Sequence, residues 1–506
     1  MNLRNSASLA VFAAALTLAA CGGEGEPRNG QSGQSASQGA ANSGVEALAA
    51  LGLAEQGRAS WGERVLDGDS YVFTDFILAT EEGVLNAQTL TLTDPRMSEL
   101  GPVFERLTVT MGEIAYEDGE AGFDSFIISE AGPGVGQALA NLFNGEGGFD
   151  DIALEQQTFA SMRLDALRVL TRVEGEGASE LVIASIEAAG FDGEVLESFA
   201  LADFAYDATA PDGNETAITL AAIEAAGIAA ALLQSGMAGD VGQDSVLGAA
   251  TSSYDQYDRV AVTGLNVVSG GLRIMMPDFV GEVEERRNGR LVSTASMPSL
   301  TLQANSRSEQ GAGVAQALSM LGYETMAFSF ASETEYDPDT DRVTTSGENY
   351  IAMEDGFLMS FEQDISGVQA YTDAMNSWMA EGGEREADTP PASVLEPLMI
   401  HSARVVLEDR SLLDRALTAI AEQQETTPAQ LRSQAGLFVA MGAAMAGDAI
   451  PAPLMGQLAG ALTSFVGQGG SVIVEFEPAE PVSAARFAGE GGPDLSGITV
   501  RHQPAE

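Results

Sequence analysis

Past residue 45 the apolar positions recur mostly with period two. Leu107, Val109 and Met111 alternate with Thr108 and Thr110, Leu90 and Leu92 with Thr89, Thr91 and Thr93, and Met326, Phe328 and Phe330 with Ala327, Ser329 and Ala331. Alternation of this kind predicts strands with one buried and one wet face. Turn signals punctuate them at Glu82-Gly83, Asp118-Gly119, Asp192-Gly193, Asp212-Gly213, Gly270-Gly271 and Asp355-Gly356. Short turns between consecutive strands predict antiparallel meanders.

The strand pattern is interrupted by a repeated segment. Gly132–Leu142 reads GPGVGQALANL and Gly311–Leu321 reads GAGVAQALSML, with seven of eleven positions identical at an offset of 179 residues. Both are expected to be short helices flanked by strands. Upstream, Phe73-Thr74-Asp75-Phe76 parallels Val262-Thr263-Gly264-Leu265, and Ile186–Gly190 echoes Ile223–Gly227 as IEAAG. The expected organisation is a first β-meander repeat over 45–247 and a second over 248–385.

The region after the polar Pro/Gly linker at 381–393 differs. Residues 398–409 predict a strand, and Ser411 with Asp414 predicts a helix running to about Gln424. Thr427-Pro428-Ala429-Gln430 is a capping box with proline at the first helical position, expected to open a helix reaching about Gly447. Leu454, Leu458, Leu462 and Phe465 stripe a further helix, ended by Gly469-Gly470. Val472, Val474 and Phe476 form a closing strand. Thus 394–489 is a strand–helices–strand segment and 490–506 a loose tail. The fold class is α+β and β-dominated: a long antiparallel meander, curved by strand twist, internally duplicated, with short packed helices and a helical segment near the C-terminus.

Composition narrows the chemistry. The 506 residues include 74 acidic and 23 basic ones, a formal net charge of -51, and every basic residue is an arginine. Without lysine there is no Schiff-base amine, no Walker-type phosphate loop and no SxxK acylase. Two histidines and the single Cys21 cannot assemble a Cys/His zinc site. The net charge repels phosphate backbones, which argues against nucleic-acid binding. With 45% apolar residues the chain nevertheless has the material for a core.

Residues 1–20 read as a secretory signal, with Arg4 before the apolar run Leu9–Ala20, which is too short to span a bilayer. The run ends in Leu18-Ala19-Ala20-Cys21, which resembles the lipobox of bacterial lipoproteins. That resemblance implies cleavage before Cys21 and acylation of its thiol. Gly22 and Gly23, where aspartate retains such proteins at the inner membrane, imply an outer-membrane position facing the periplasm. Residues 21–44, polar and rich in Gly and Ser, are expected to be a disordered tether with a span of roughly 25–30 Å. The body resembles, in style, the AsmA-like and YdgA-like β-rich envelope proteins, through its Asp-Gly hairpins, its Ala/Leu-rich helical stretch and Val-Ile-Val-Glu-Phe-Glu-Pro-Ala-Glu-Pro-Val over 472–482. No functional residue carries over from that resemblance.

Specific chemistry is sparse. His401 sits on a predicted strand with no GxSxG segment to supply a nucleophile, so it is expected to be structural. Asp337, Asp339, Asp341 and Glu348 mimic part of an EF-hand loop, but Arg342 stands where glycine is needed and strands flank it; a hairpin turn is expected. The apolar stretches 437–445 and 454–466, broken by Asp448, Pro451 and Pro453, are expected to pack on sheet. The expectation is a non-enzymatic, lipid-anchored envelope protein with no cofactor, metal or catalytic residue. It would contact the membrane through Cys21 and bind a hydrophobic ligand or an envelope partner. A periplasmic glycosidase-like hydrolase with paired carboxylates is the alternative.

Overall fold

In a computed structural model the described residues are 40–80, 83–116, 118–149, 152–173, 177–211, 213–230, 232–233, 256–286, 288–305, 308–380, 391–434, 451–487 and 495–505. Cys21, most of the expected tether and the stretch 437–445 lie outside them. The chain divides into two compact units, one ending at Ser269 and the other starting, apart from a short excursion, at Gly270. Both are β-dominated and antiparallel. This division places 259–269 with the first unit. It also joins the strand–helices–strand segment to the second meander.

The first unit opens with helix α1 (Ala40–Ala50), which takes the last residues of the expected tether. The strands are β1 (Ala59–Ser60), β2 (Glu63–Asp67), β3 (Ser70–Ala79), β4 (Val84–Thr93), β5 (Arg96–Ser98), β6 (Gly101–Tyr116) and β7 (Gly119–Ala131). Helix α2 (Pro133–Asn144) follows, then β8 (Phe159–Val173), β9 (Gly177–Phe191), β10 (Val195–Thr209), β11 (Glu215–Ala229) and β12 (Arg259–Ser269). Apart from the small β5, each of the strands from β3 onward pairs with its sequence neighbours.

Nine of these strands share one departure from simple alternation. Their core residues are spaced two, then three, then two. The three-residue step is Phe73 to Phe76 in β3, Ala87 to Leu90 in β4, Val109 to Gly112 in β6, Phe123 to Phe126 in β7, Leu164 to Leu167 in β8, Ile183 to Ile186 in β9, Leu201 to Phe204 in β10, Leu220 to Ile223 in β11 and Val262 to Leu265 in β12. In every second strand the step contains a residue with left-handed backbone: Asp75 (φ 49°), Met111 (φ 51°), Ala166 (φ 57°), Asp203 (φ 51°) and Gly264 (φ 71°). The ladder skips these positions without slipping, for instance between Thr74↔Thr89 and Phe76↔Ala87. A left-handed residue reverses the pleat, so the apolar residues on either side keep one face.

The magnitudes favour this arrangement. The left-handed conformation costs a non-glycine residue roughly 1–2 kcal/mol. A pleat that ran on unbroken would expose several core side chains, each worth about 1.5–3 kcal/mol. Met111, which simple alternation assigns to the core, is 56% exposed for this reason. Beside the break one unbroken row of paired residues runs from Phe73 through Leu90, Val109, Phe126, Leu164 and Ile186 to Leu201, Ile223 and Val262. From Phe73 to Ile186 it is fully buried, with Leu48 and Leu51 of α1 and Val135, Leu139 and Phe143 of α2 in the same core.

The second unit has β13 (Leu272–Glu285), β14 (Leu291–Ala304), helix α3 (Glu309–Met320), β15 (Thr325–Asp337), β16 (Arg342–Thr345), β17 (Tyr350–Met353) and β18 (Phe357–Ser366). Helices α4 (Val368–Ala380) and α5 (Ala392–Leu395) lead into β19 (Met399–Asp409). Helices α6 (Leu412–Gln423) and α7 (Ala452–Gln468) precede β20 (Ser471–Phe476), β21 (Val482–Ser483) and β22 (Ile498–Gln503). The last strand corrects the expectation of a loose tail. Ile498, Val500 and His502 alternate with Thr499, Arg501 and Gln503 and pair with β20 along its length; a six-residue run is short enough to be overlooked beside the Gly/Pro-rich 490–497.

The repeated segments are helices in equivalent places. Each connects two strands that pair with each other, β7 with β8 around α2 and β14 with β15 around α3. Val135 and Leu139 match Val314 and Leu318 in facing the core. Capping differs: Gly132 precedes Pro133 in α2, whereas Ser308 Oγ accepts the Gly311 N–H in α3. The capping box is reciprocal, Thr427 Oγ1 accepting from Gln430 N and Gln430 Oε1 from Thr427 N. Ser411 occupies the N-cap of α6, but its hydroxyl donates to Asp355 O, and Asp409 accepts the Leu413 N–H instead.

Candidate functional site

The two units differ in how their apolar faces are closed. In the first, the sheet and helices enclose a cavity of about 30 Å³ lined by Phe76, Leu107, Phe126, Leu139 and Phe143 among others. That is room for no more than a water or two, so side chains fill this interior.

In the second unit a continuous apolar row crosses the strands: Phe330 pairs with Ile351, Ile351 with Met359, Met359 with Leu407 and Leu407 with Val472. A parallel row runs Phe361, Val405, Val474, Val500. Helices cover both sides of these rows. Val314, Leu318 and Leu321, with Leu412 of α6, pack on Met326, Phe328, Met353 and Phe357. Leu454, Leu458 and Phe465 of α7 pack on Val472 and Val500. Between them Val405, Leu407 and Val474 are 39%, 36% and 36% exposed. They are neighbours across the β19–β20 ladder and lie on one face of two interior strands.

Polar contacts fix the helices bordering the patch. Tyr323 donates its hydroxyl to Asp355 O at 2.6 Å, and the Arg415 guanidinium stacks 4.5 Å over its ring. Burial raises the Tyr323 pKa, with the Arg415 charge opposing. Arg432 donates to Val466 O of α7 and pairs with Asp414 of α6. Asn349, 5% exposed, is fully engaged: Oδ1 accepts from Ser332 Oγ and Glu333 N, and Nδ2 donates to Glu333 O and Ser346 O.

Asp337 to Asp341 form the hairpin turn between β15 and β16. Thr340 N donates to Asp337 O, and Asp337 pairs with Arg342. Among the described residues no cluster of three or more His, Cys, Asp or Glu is arranged to hold a metal ion, and no helix is long and apolar enough to cross a membrane. Two of the described carboxylates are held below their ordinary range. Asp192 accepts the backbone N–H groups of Val195 and Glu194, and Glu475 accepts from Arg501 and Arg404. The general acid of a glycoside hydrolase needs the opposite shift, so neither suits that role.

His401 is the extra residue of a bulge in β19, between the pairs Asp364↔Ser402 and Ile365↔Ile400. Its Nε2 lies 2.8 Å from Ser366 Oγ. Sequence reasoning missed this partner because it sought a nucleophile in GxSxG, and the contact instead depends on the one-residue bulge at His401.

A family model described only as "Uncharacterized protein" matches residues 350–503. That span runs from β17 to the end of β22 and contains Ile351, Met359, Phe361 and the three exposed aliphatics. No curated protein and no solved structure matches the chain.

Proposed function

We propose that this is a lipid-anchored protein of the bacterial envelope, held on the outer membrane by acylated Cys21. Its second unit binds a hydrophobic ligand, or the apolar surface of an envelope partner, on the face of β18, β19 and β20. The observation carrying the binding role is the exposure of Val405, Leu407 and Val474 between two helix-covered flanks. Three such side chains left in water forgo several kcal/mol of burial, which an occupant would recover. The anchor rests on Leu18-Ala19-Ala20-Cys21 and the Gly/Ser-rich stretch after it. The binding role requires nothing beyond these two features.

Cell fractionation tests the anchor. Wild type should sediment with outer membranes and Cys21→Ala should appear in the soluble periplasmic fraction. A Cys21→Ala protein still wholly in the outer-membrane pellet would refute anchoring through this residue.

A further inference from the structure

We propose that Ser366 and His401 form a nucleophile–base pair able to accept an acyl group from a carboxylic ester, an activity beyond the binding role above. Four features meet at this point of the second unit. The hydroxyl and the imidazole are in direct hydrogen-bond contact, Oγ to Nε2 at 2.8 Å, the reach a serine and its general base require. His401 is there because of the bulge, and bulges re-aim a single side chain without disturbing the ladder on either side. Both residues are half-buried and remain open to solvent.

The chain turns sharply just after the serine. Ser366 ends β18, Gly367 has φ 78°, and α4 starts at Val368. A side chain at Gly367 would collide with the Pro397 carbonyl, so the turn depends on glycine. The serine is thereby fixed at the N-terminal end of a thirteen-residue helix. Of the first N–H groups of α4, Asp341 Oδ1 accepts that of Gln369 at 2.8 Å and Gly367 O that of Tyr371 at 2.9 Å. Val368 N–H has no acceptor among the described residues. In the proposal this N–H, two residues beyond the serine at the start of the helix, would serve as the oxyanion donor. Arg342, paired across the ladder with Ser366, is held in a two-pronged pair with Asp364. This neutralises that guanidinium, while the Asp341 carboxylate at the start of α4 leaves the surroundings acidic, which favours an uncharged ester over an anionic one.

The chemistry balances within these groups. Ser366 Oγ attacks the ester carbonyl carbon while its proton passes to His401 Nε2. The C–O bond to the alcohol breaks and the alcohol leaves with that proton, leaving acyl-Ser366. Water then attacks the acyl carbon, gives a proton to Nε2 and releases the carboxylic acid as Oγ is reprotonated. No redox partner or metal is needed.

The test uses the full mature chain as Cys21→Ala, an alkyl fluorophosphonate as probe, and peptide mass spectrometry. The expected result is a phosphonyl group on Ser366, absent in Ser366→Ala. Its rate of formation should fall by about 100-fold or more in His401→Gln, the usual loss when a general base is removed. Trp378 fluorescence, reporting on the fold of the second unit from the far end of α4, should be unchanged in both variants. Unlabelled Ser366 in a folded wild-type protein overturns the proposal, as does equal labelling in His401→Gln. Neither result bears on the apolar patch or on Cys21.

Discussion

Replacing Gly136 by alanine is expected to destabilise the first unit, the reverse of what helix propensity alone dictates. Gly136 is the fourth residue of α2 and makes its first helical hydrogen bond, to Gly132 O; within a helix alanine is favoured over glycine by about 1 kcal/mol. A Cβ at this position would collide with the carbonyl oxygen of Pro102 at the start of β6. Backbone cannot rotate away as a side chain does, so α2 would have to lift from the sheet. Val135, Leu139 and Phe143, now 0%, 2% and 5% exposed, would lift with it. Overpacking of this kind costs about 1–3 kcal/mol, and with the lost contacts it outweighs the propensity gain, for a net loss of about 1–2 kcal/mol. The equivalent residue of the duplicated helix is Ala315, exposed on α3; there Ala315→Gly should cost about 1 kcal/mol through propensity alone. The two tryptophans separate the units. Trp61 packs edge-on against Phe73 in the first, and Trp378 lies on α4 in the second. Urea unfolding followed by Trp61 fluorescence in a Trp378→Phe background should show the Gly136→Ala midpoint lowered by roughly 0.5 M. A midpoint that rises would show that α2 does not rest on β6 as described.

Two further outcomes follow from the second unit. Leu454→Asp places a carboxylate against Val472 and Val500, where Leu454 is 9% exposed, and should cost about 3 kcal/mol or force protonation; an unchanged melting temperature would mean that α7 is not seated on β20 and β22. Glu475, held below the ordinary carboxylate value of about 4.5 chiefly by the Arg501 hydrogen bond, contributes stability that is fully present above about pH 4.5 and is lost as pH falls through the lower folded value. Glu475→Gln should therefore be less stable than wild type at neutral pH, with the difference closing in acid; a difference that widened in acid would contradict the sign.

Much of the β-architecture is legible because alternation and turn chemistry are local. Asp192-Gly193, Gly270-Gly271 and Asp355-Gly356 all fall at strand connections, and the capping box at Thr427 forms as its spacing predicts. The resemblance between Phe73-Thr74-Asp75-Phe76 and Val262-Thr263-Gly264-Leu265 is two instances of the strand motif repeated nine times. The others are hidden because the step tolerates Gln-Thr, Thr-Met or Asp-Ala between its apolar ends. The strand at 498–503 is missed because its pairing partner, β20, lies beyond an intervening loop. The exposed patch is not legible at all. Val405, Leu407 and Val474 read as ordinary buried strand residues, and only the spacing of α3, α6 and α7 over the sheet leaves them in water. The contact of His401 with Ser366 depends likewise on a one-residue bulge that no local pattern announces.

The central claim is that the face carrying Val405, Leu407 and Val474 holds an apolar occupant. The direct measurement is native mass spectrometry of the mature protein, purified from envelope extracts without added lipid, beside a Leu407→Asp variant with an unchanged melting temperature. The account predicts a hydrophobic molecule or an envelope protein retained by wild type and lost from the variant. Equal retention by both, or a wild-type protein that carries nothing apolar and whose exposed face binds no hydrophobic probe, would contradict it.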